Sequence, residues 1–131
     1  MKCAFTFAEC SSAKRLKVCC LIVKDDRIIS IGYNGTPVGW DNCCETLAIT
    51  GESVTKKEVL HAEMNAISKL AKSHESSLGA AAFITHAPCI ECAKLLWQSG
   101  IDTIYYSEIY RSLDGIKFLN KCGATVINVT I

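Results

Sequence analysis

Between Val59 and Val129 the hydrophobic pattern switches back and forth between helical and strand spacing, and this limits the fold more than any other feature. Leu60, Met64, Ile67, Leu70 and Ala71 recur at helical intervals within Val59–Ser73. A short apolar strand is expected over Ala80–Thr85, and a helix over Ile90–Ser99 that Gly100 stops. A strand over Thr103–Ser107, a helix over Leu113–Lys121 and a last strand over Ala124–Val129 follow, with Gly123 just past the helix. Such alternation predicts an α/β sandwich in which helices cover one mixed sheet. Several of the strands are almost wholly apolar, as strands buried on both faces must be.

Ahead of Val59 the reading is less regular. Residues 2–13 read as a helix. Val18–Lys24 is a β-branched and apolar run, the pair Asp25-Asp26 makes a turn, and Arg27–Tyr33 returns as the second arm of a hairpin. Gly, Pro and Asn from Gly32 to Asn42 mark a loop, while residues 45–58 are polar and without clear pattern. No repeat, low-complexity tract or linker interrupts the chain, and 131 residues suit a single domain over 1–131.

Half of the residues are hydrophobic and the formal net charge is only +1. A chain that grips long nucleic acid needs a clear basic excess, because phosphate contacts supply most of the affinity. A small-molecule substrate, with no polynucleotide partner, is the expectation. Nine cysteines would signal a disulfide framework in a short secreted chain. The opening MKCAFTFAEC lacks an uninterrupted apolar stretch and carries Glu9, so it does not read as a secretory signal. No apolar run approaches the roughly 18 residues that span a membrane. A cytoplasmic, reducing setting is expected, host cytoplasm for a viral chain, with Cys3, Cys10, Cys19, Cys20 and Cys122 as buried free thiols.

The chemistry concentrates in His61-Ala62-Glu63 and Pro88-Cys89-Ile90-Glu91-Cys92. A Cys-x-x-Cys pair places two thiolates on one Zn²⁺, and a histidine adds a third ligand. Both motifs open a predicted helix, where positive potential and free N–H groups favour the thiolate. Three protein ligands leave a coordination position open, as a catalytic zinc requires. Two thiolates cancel the charge of the ion, so a nearby general base is useful, and Glu63 is the candidate. His-x-Glu followed by Pro-Cys-x-x-Cys is the recurrent signature of zinc-dependent nucleobase deaminases. The competing reading is a four-ligand zinc staple completed by Cys43 or Cys44. His74 reads as a solvated helix-end residue, and His86 either lines the pocket or packs at a strand end.

With these residues in hand, the chain closely resembles the deoxycytidylate (dCMP) deaminases, especially short phage-type members, from about Ser11 to Val129. The blocks that carry the resemblance are KVCCLIVKDDRIISIGYNGTP, DNCCE, HAEMNAI, APCIECAKLLWQSGI and IYYSEIYRSLDGI. It implies a cytidine-deaminase-like three-layer α/β/α sandwich with a five-stranded mixed sheet and one Zn²⁺ per subunit. The implied reaction converts dCMP to dUMP and ammonia, feeding thymidylate synthesis. Water attacks C4 of the cytosine ring while Glu63 takes its proton, protonates N3 and helps ammonia leave.

The resemblance also implies that Asn34 contacts the sugar, that Tyr110 packs on the nucleotide, and that Ala62 joins them in the substrate site. Arg15, Lys17 and Arg111 are candidates for the 5′-phosphate, which needs cationic or N–H partners. A homo-hexamer activated by dCTP and inhibited by dTTP is implied as well. Gly32, Tyr33, Asn34 and Gly35 would take part in that control, together with Lys69 and Lys72. A bifunctional dCMP/dCTP deaminase, a tRNA adenosine deaminase and a free cytidine deaminase share the same zinc motif and stay open. Three departures stand out: Cys19-Cys20 replaces the usual Gly-Ala, Ala87 replaces a common Ser, and residues 45–60 contain no His for a second zinc.

Overall fold

The computed structural model describes residues 1–131. Its elements in chain order are α1 (Lys2–Ala8), β1 (Cys19–Lys24), β2 (Arg27–Tyr33), β3 (Glu45–Leu47), β4 (Ser53–Thr55), α2 (Ala62–Ala71), β5 (Ala81–His86), α3 (Ile90–Gln98), β6 (Thr103–Glu108), α4 (Asp114–Cys122) and β7 (Thr125–Asn128). Five strands form one mixed sheet in the order β2-β1-β5-β6-β7. β1 runs antiparallel to both β2 and β5, whereas β5, β6 and β7 are parallel. The parallel half is built from strand–helix–strand crossovers through α3 and α4, which the alternation in the sequence demanded.

The hairpin of β1 and β2 turns on Asp25 and Asp26, whose φ angles are 52° and 58°. Both central residues of a two-residue turn matched to strand twist need positive φ, and Asp tolerates that conformation better than most. Beyond the turn, alternate residues of β1 serve two different cores. Cys20 and Ile22 join Ala62, Ala66, Leu70, Ala93, Leu96 and Leu119 beneath the helices. Cys19 and Leu21 face the other way, against Ala4 and Ala8 of α1. One helix on one face and three on the other make the three-layer α/β/α sandwich.

Three expectations need correction. The first helix ends at Ala8, not near residue 13, and of the thiols expected to be buried Cys3 and Cys10 are exposed and Cys122 is half-buried. The polar stretch 45–58 contains a separate two-stranded sheet, β3 paired with β4, whose short strands bury too little to leave an apolar period. The helix expected from Val59 starts at Ala62, because Leu60 exchanges backbone hydrogen bonds with Gly35 (2.8 and 3.1 Å) and is held extended. No helix is long and apolar enough to cross a membrane.

Candidate metal centre and cleft

His61 and Cys89 occupy equivalent places: each is the extended residue that caps the N-terminus of a helix, α2 and α3 respectively. Helix interiors would splay i and i+2 onto different faces. At the first turn, His61 and Glu63 instead converge on the same space. The imidazole Nδ1 lies 3.3 Å from the Cys92 Sγ and 3.6 Å from the Cys89 Sγ. These three atoms form the one cluster of metal-ligating groups in the chain. Zinc bonds of about 2.0 and 2.3 Å at a tetrahedral angle separate N and S by roughly 3.6 Å, so the donor set fits that ion. Cys43 and Cys44 lie outside the cluster, beside β3, which removes the fourth ligand that a staple would need.

Within the cluster the imidazole and the two thiols lie at hydrogen-bond distance and share protons. The Cys89 thiol is pulled down to about 3, chiefly because it accepts hydrogen bonds from Cys92 and His61. Cys92 moves the opposite way, since it donates to Cys89 and is buried. His61 is raised by its hydrogen bond to Cys89, and burial opposes that shift. Glu63 is buried at the base of the cluster, and desolvation pushes its carboxyl above the usual range. Its own backbone N–H, the charge of His61 and the Cys92 side chain work against that rise.

These groups open into a cleft of about 240 Å³. Arg15, Asn34, Ala62, Tyr110 and Arg111, named from the sequence, all line it, beside Leu16, Val18, Thr55, Val59 and Ser112, which the sequence did not flag. Arg111 has a left-handed φ of 64° and lays its guanidinium 5.0 Å from the centre of the Tyr110 ring. Neither Arg15 nor Arg111 is in an ion pair, whereas Lys17, Arg27, Lys56 and Lys94 are. Lys17 is therefore corrected: its ammonium turns to Glu9, 3.5 Å from the carboxylate, and does not line the cleft. His86 packs at a strand end, its Nδ1 2.9 Å from the Thr85 hydroxyl and its ring edge-on to Tyr110, and His74 is exposed.

Asn34 is more scaffold than its sequence role implied. Its Oδ1 accepts from the Val18 N–H (2.9 Å) and lies 2.8 Å from the Ser11 hydroxyl, while its Nδ2 donates to the Leu16 carbonyl at 2.8 Å. One amide N–H is left over for a ligand. Its neighbours are equally committed. A Cβ on Gly32 would strike the Ala62 carbonyl oxygen and the Ala66 nitrogen, the Tyr33 carbonyl accepts from Asn65 Nδ2 (2.8 Å), and Gly35 pairs with Leu60. Lys69 donates to the Ile31 carbonyl and stands 5.4 Å over the Tyr33 ring, whereas exposed Lys72 has no partner in that network.

The profile of the family described as the cytidine and deoxycytidylate deaminase zinc-binding region matches residues 1–108. The fold superposes with a TM-score of 0.91 on the crystal structure of a dCMP deaminase from cyanophage S-TIM5, in complex with dCMP and dUMP. The two are 43% identical, over 98% of this chain and 92% of that one. The deoxycytidylate deaminase of phage T4 is 32% identical, over 96% of this chain and 86% of its own. ComE operon protein 2 of Bacillus subtilis is 39% identical over 92% of this chain, which spans only 64% of that protein.

Proposed function

The chain belongs to the zinc-binding cytidine and deoxycytidylate deaminases, and from that premise we propose that it hydrolyses dCMP to dUMP and ammonia. The observation that carries the choice is a buried carboxylate, Glu63, beside a three-ligand metal cluster, in a cleft lined by two guanidiniums that no carboxylate neutralises. His61, Cys89 and Cys92 would hold one Zn²⁺. When bound, the ion supplies the Lewis acidity that makes a water proton available to a carboxylate.

The chain's own residues supply the rest. Glu63 accepts the water proton, delivers it to N3 of the cytosine ring as oxygen adds at C4, and then assists departure of the amine. Burial suits it to both tasks, because desolvation raises the proton affinity of the carboxylate and so helps it take the proton before returning it. Asn34 offers its spare N–H to the sugar, and Tyr110 packs against the nucleotide. Arg15 and Arg111 receive the 5′-phosphate, Arg by virtue of its forked donors. Water enters and ammonia leaves, so no oxidant or second substrate is needed.

Control by dCTP and dTTP and assembly into a hexamer are part of the proposal. Exposed Val38, Trp40, Leu47 and Ile49 give the surface an apolar character that favours contact with further copies. The loop at Gly32–Gly35 supports the regulatory reading, for Gly32 packs on α2, the Tyr33 carbonyl accepts from Asn65 of α2, and Gly35 pairs with Leu60, the residue before His61. Turnover of deoxycytidine, dCMP, dCTP and a tRNA anticodon stem by the zinc-loaded protein tests the substrate. Preference for dCMP is expected, and an inert dCMP beside any active competitor would sink the proposal.

A further inference from the structure

The β3–β4 hairpin pairs with no strand of the main sheet and buries little of itself. Its place in the molecule is explained by what it touches. Glu45 and Thr55 are direct partners across its ladder. The Oε1 of Glu45 accepts from two consecutive backbone N–H groups, Lys14 at 2.7 Å and Arg15 at 3.1 Å. Thr55 reaches the other end of the same residue, its Oγ1 accepting from Arg15 Nη1 at 3.3 Å. One rung of a hairpin thus holds both the main chain and the tip of Arg15, which otherwise sits on an irregular segment between α1 and β1.

We propose that Glu45 and Thr55 are positioning residues that aim Arg15 into the cleft, so that the hairpin sets the preference for a phosphorylated over an unphosphorylated nucleoside. The inference rests on the reading of Arg15 as a phosphate ligand given above. A long, exposed side chain gains affinity for an anion only when its rotamer freedom is removed beforehand. Thr55 restrains the guanidinium and Glu45 fixes the backbone that carries it, without neutralising it: the carboxylate spends its hydrogen bonds on backbone amides, and Arg15 is in no ion pair. The remaining guanidinium donors stay free for the ligand.

The test is steady-state kinetics on dCMP and on deoxycytidine with the zinc-loaded protein. The variants are Arg15→Ala, Glu45→Ala, Glu45→Gln, Thr55→Val and the double variant Arg15→Ala/Glu45→Ala. Glu45→Ala should raise KM for dCMP about tenfold, the scale of one misaligned charge-assisted hydrogen bond, with kcat within about twofold. Its kcat/KM for deoxycytidine should be unchanged. Glu45→Gln keeps the acceptor oxygen and should restore most of the dCMP affinity, and Thr55→Val should show a smaller rise. The double variant should be no worse than Arg15→Ala alone. Equal losses on both substrates, or none on either, would overturn the positioning role. An unchanged KM for dCMP in Arg15→Ala would instead overturn the phosphate assignment on which it rests.

Discussion

Gly115 lies directly on the backbone of Cys89: a Cβ built there would be 2.9 Å from the Cys89 carbonyl carbon and oxygen, and would strike the Pro88 carbonyl. The first turn of α4 can approach the metal-binding turn only because this position carries no side chain. Gly32 plays the matching part on the other motif, letting β2 press against the first turns of α2. Two glycines therefore set the spacing of the two helix N-termini that bring His61, Glu63, Cys89 and Cys92 together.

Gly115→Ala should accordingly damage the metal centre, not merely the helix. In an unconstrained helix, alanine would stabilise by up to about 1 kcal/mol. Here the extra methyl meets backbone that cannot swing away, and the net cost should be about 1–3 kcal/mol. A lower Tm together with weaker zinc retention in competition with a chelator is expected. A raised Tm with unchanged zinc affinity would refute the packing account.

Asn34→Ala provides a second test that separates scaffold from ligand contact. The substitution leaves the Val18 N–H and the Leu16 carbonyl without their partners, at an expected loss of about 1–3 kcal/mol in stability. Asn34→Asp keeps the acceptor but sets a carboxylate against the Leu16 carbonyl, and should also destabilise. Urea denaturation reads both. A side chain whose only role was to touch the sugar would raise KM and leave the urea midpoint where it was.

The legible parts of this chain were those whose physics is local. The strand–helix alternation after Val59, the Asp25-Asp26 turn and the two helix-opening metal motifs are each written in short windows, and each is present, with the first helix of the alternation starting later, at Ala62. The β3–β4 hairpin was illegible because exposed three-residue strands carry no apolar period. Glu45 and Thr55 acquire meaning only through Arg15, 30 and 40 positions away. Lys17 looked as suitable as Arg15 until the structure turned it to Glu9. Gly115 did leave a trace, as a glycine in the first turn of a helix, but nothing local says which backbone it must clear.

Alkaline pH should weaken the fold through its buried thiols. Burial pushes the Cys19 thiol up to about 12, from an ordinary value of 9.0, and drives Cys20 upward as well. The folded state therefore keeps protons that the unfolded chain releases. The stability these thiols contribute is complete below about pH 9 and is lost as pH rises from there toward 12. Denaturation midpoints of the zinc-loaded protein between pH 8 and pH 11 should fall, and Cys19→Ala should flatten the decline. A slope that ignores the substitution would assign the effect to other groups.

Effector control predicts a change in the shape of the saturation curve. If dCTP favours the active arrangement of subunits, dCMP saturation should be sigmoidal alone and hyperbolic with dCTP, and dTTP should restore the sigmoid. The loop from Gly32 to Gly35 is bolted to α2 and to the residue before His61, so a shift there reaches the centre directly. Hyperbolic curves under all three conditions would rule the control out.

Glu63→Gln isolates proton transfer from everything else the centre does. The amide keeps the volume and much of the hydrogen bonding of the carboxyl, so the buried site next to Cys92 should stay packed. His61, Cys89 and Cys92 would hold the zinc, so its stoichiometry should remain one per chain. Replacing a buried carboxyl by a neutral amide also relieves desolvation, so Tm should hold or rise. The rate should nevertheless fall by about 10²–10⁴, the usual span for a general acid–base group. Binding of dCMP should change far less than kcat, because in the proposed role the carboxyl would act on protons in flight, not on the sugar or phosphate. A variant that keeps its zinc and its full rate would show that another group moves the proton. One that loses zinc with the rate would place Glu63 among the supports of the metal instead.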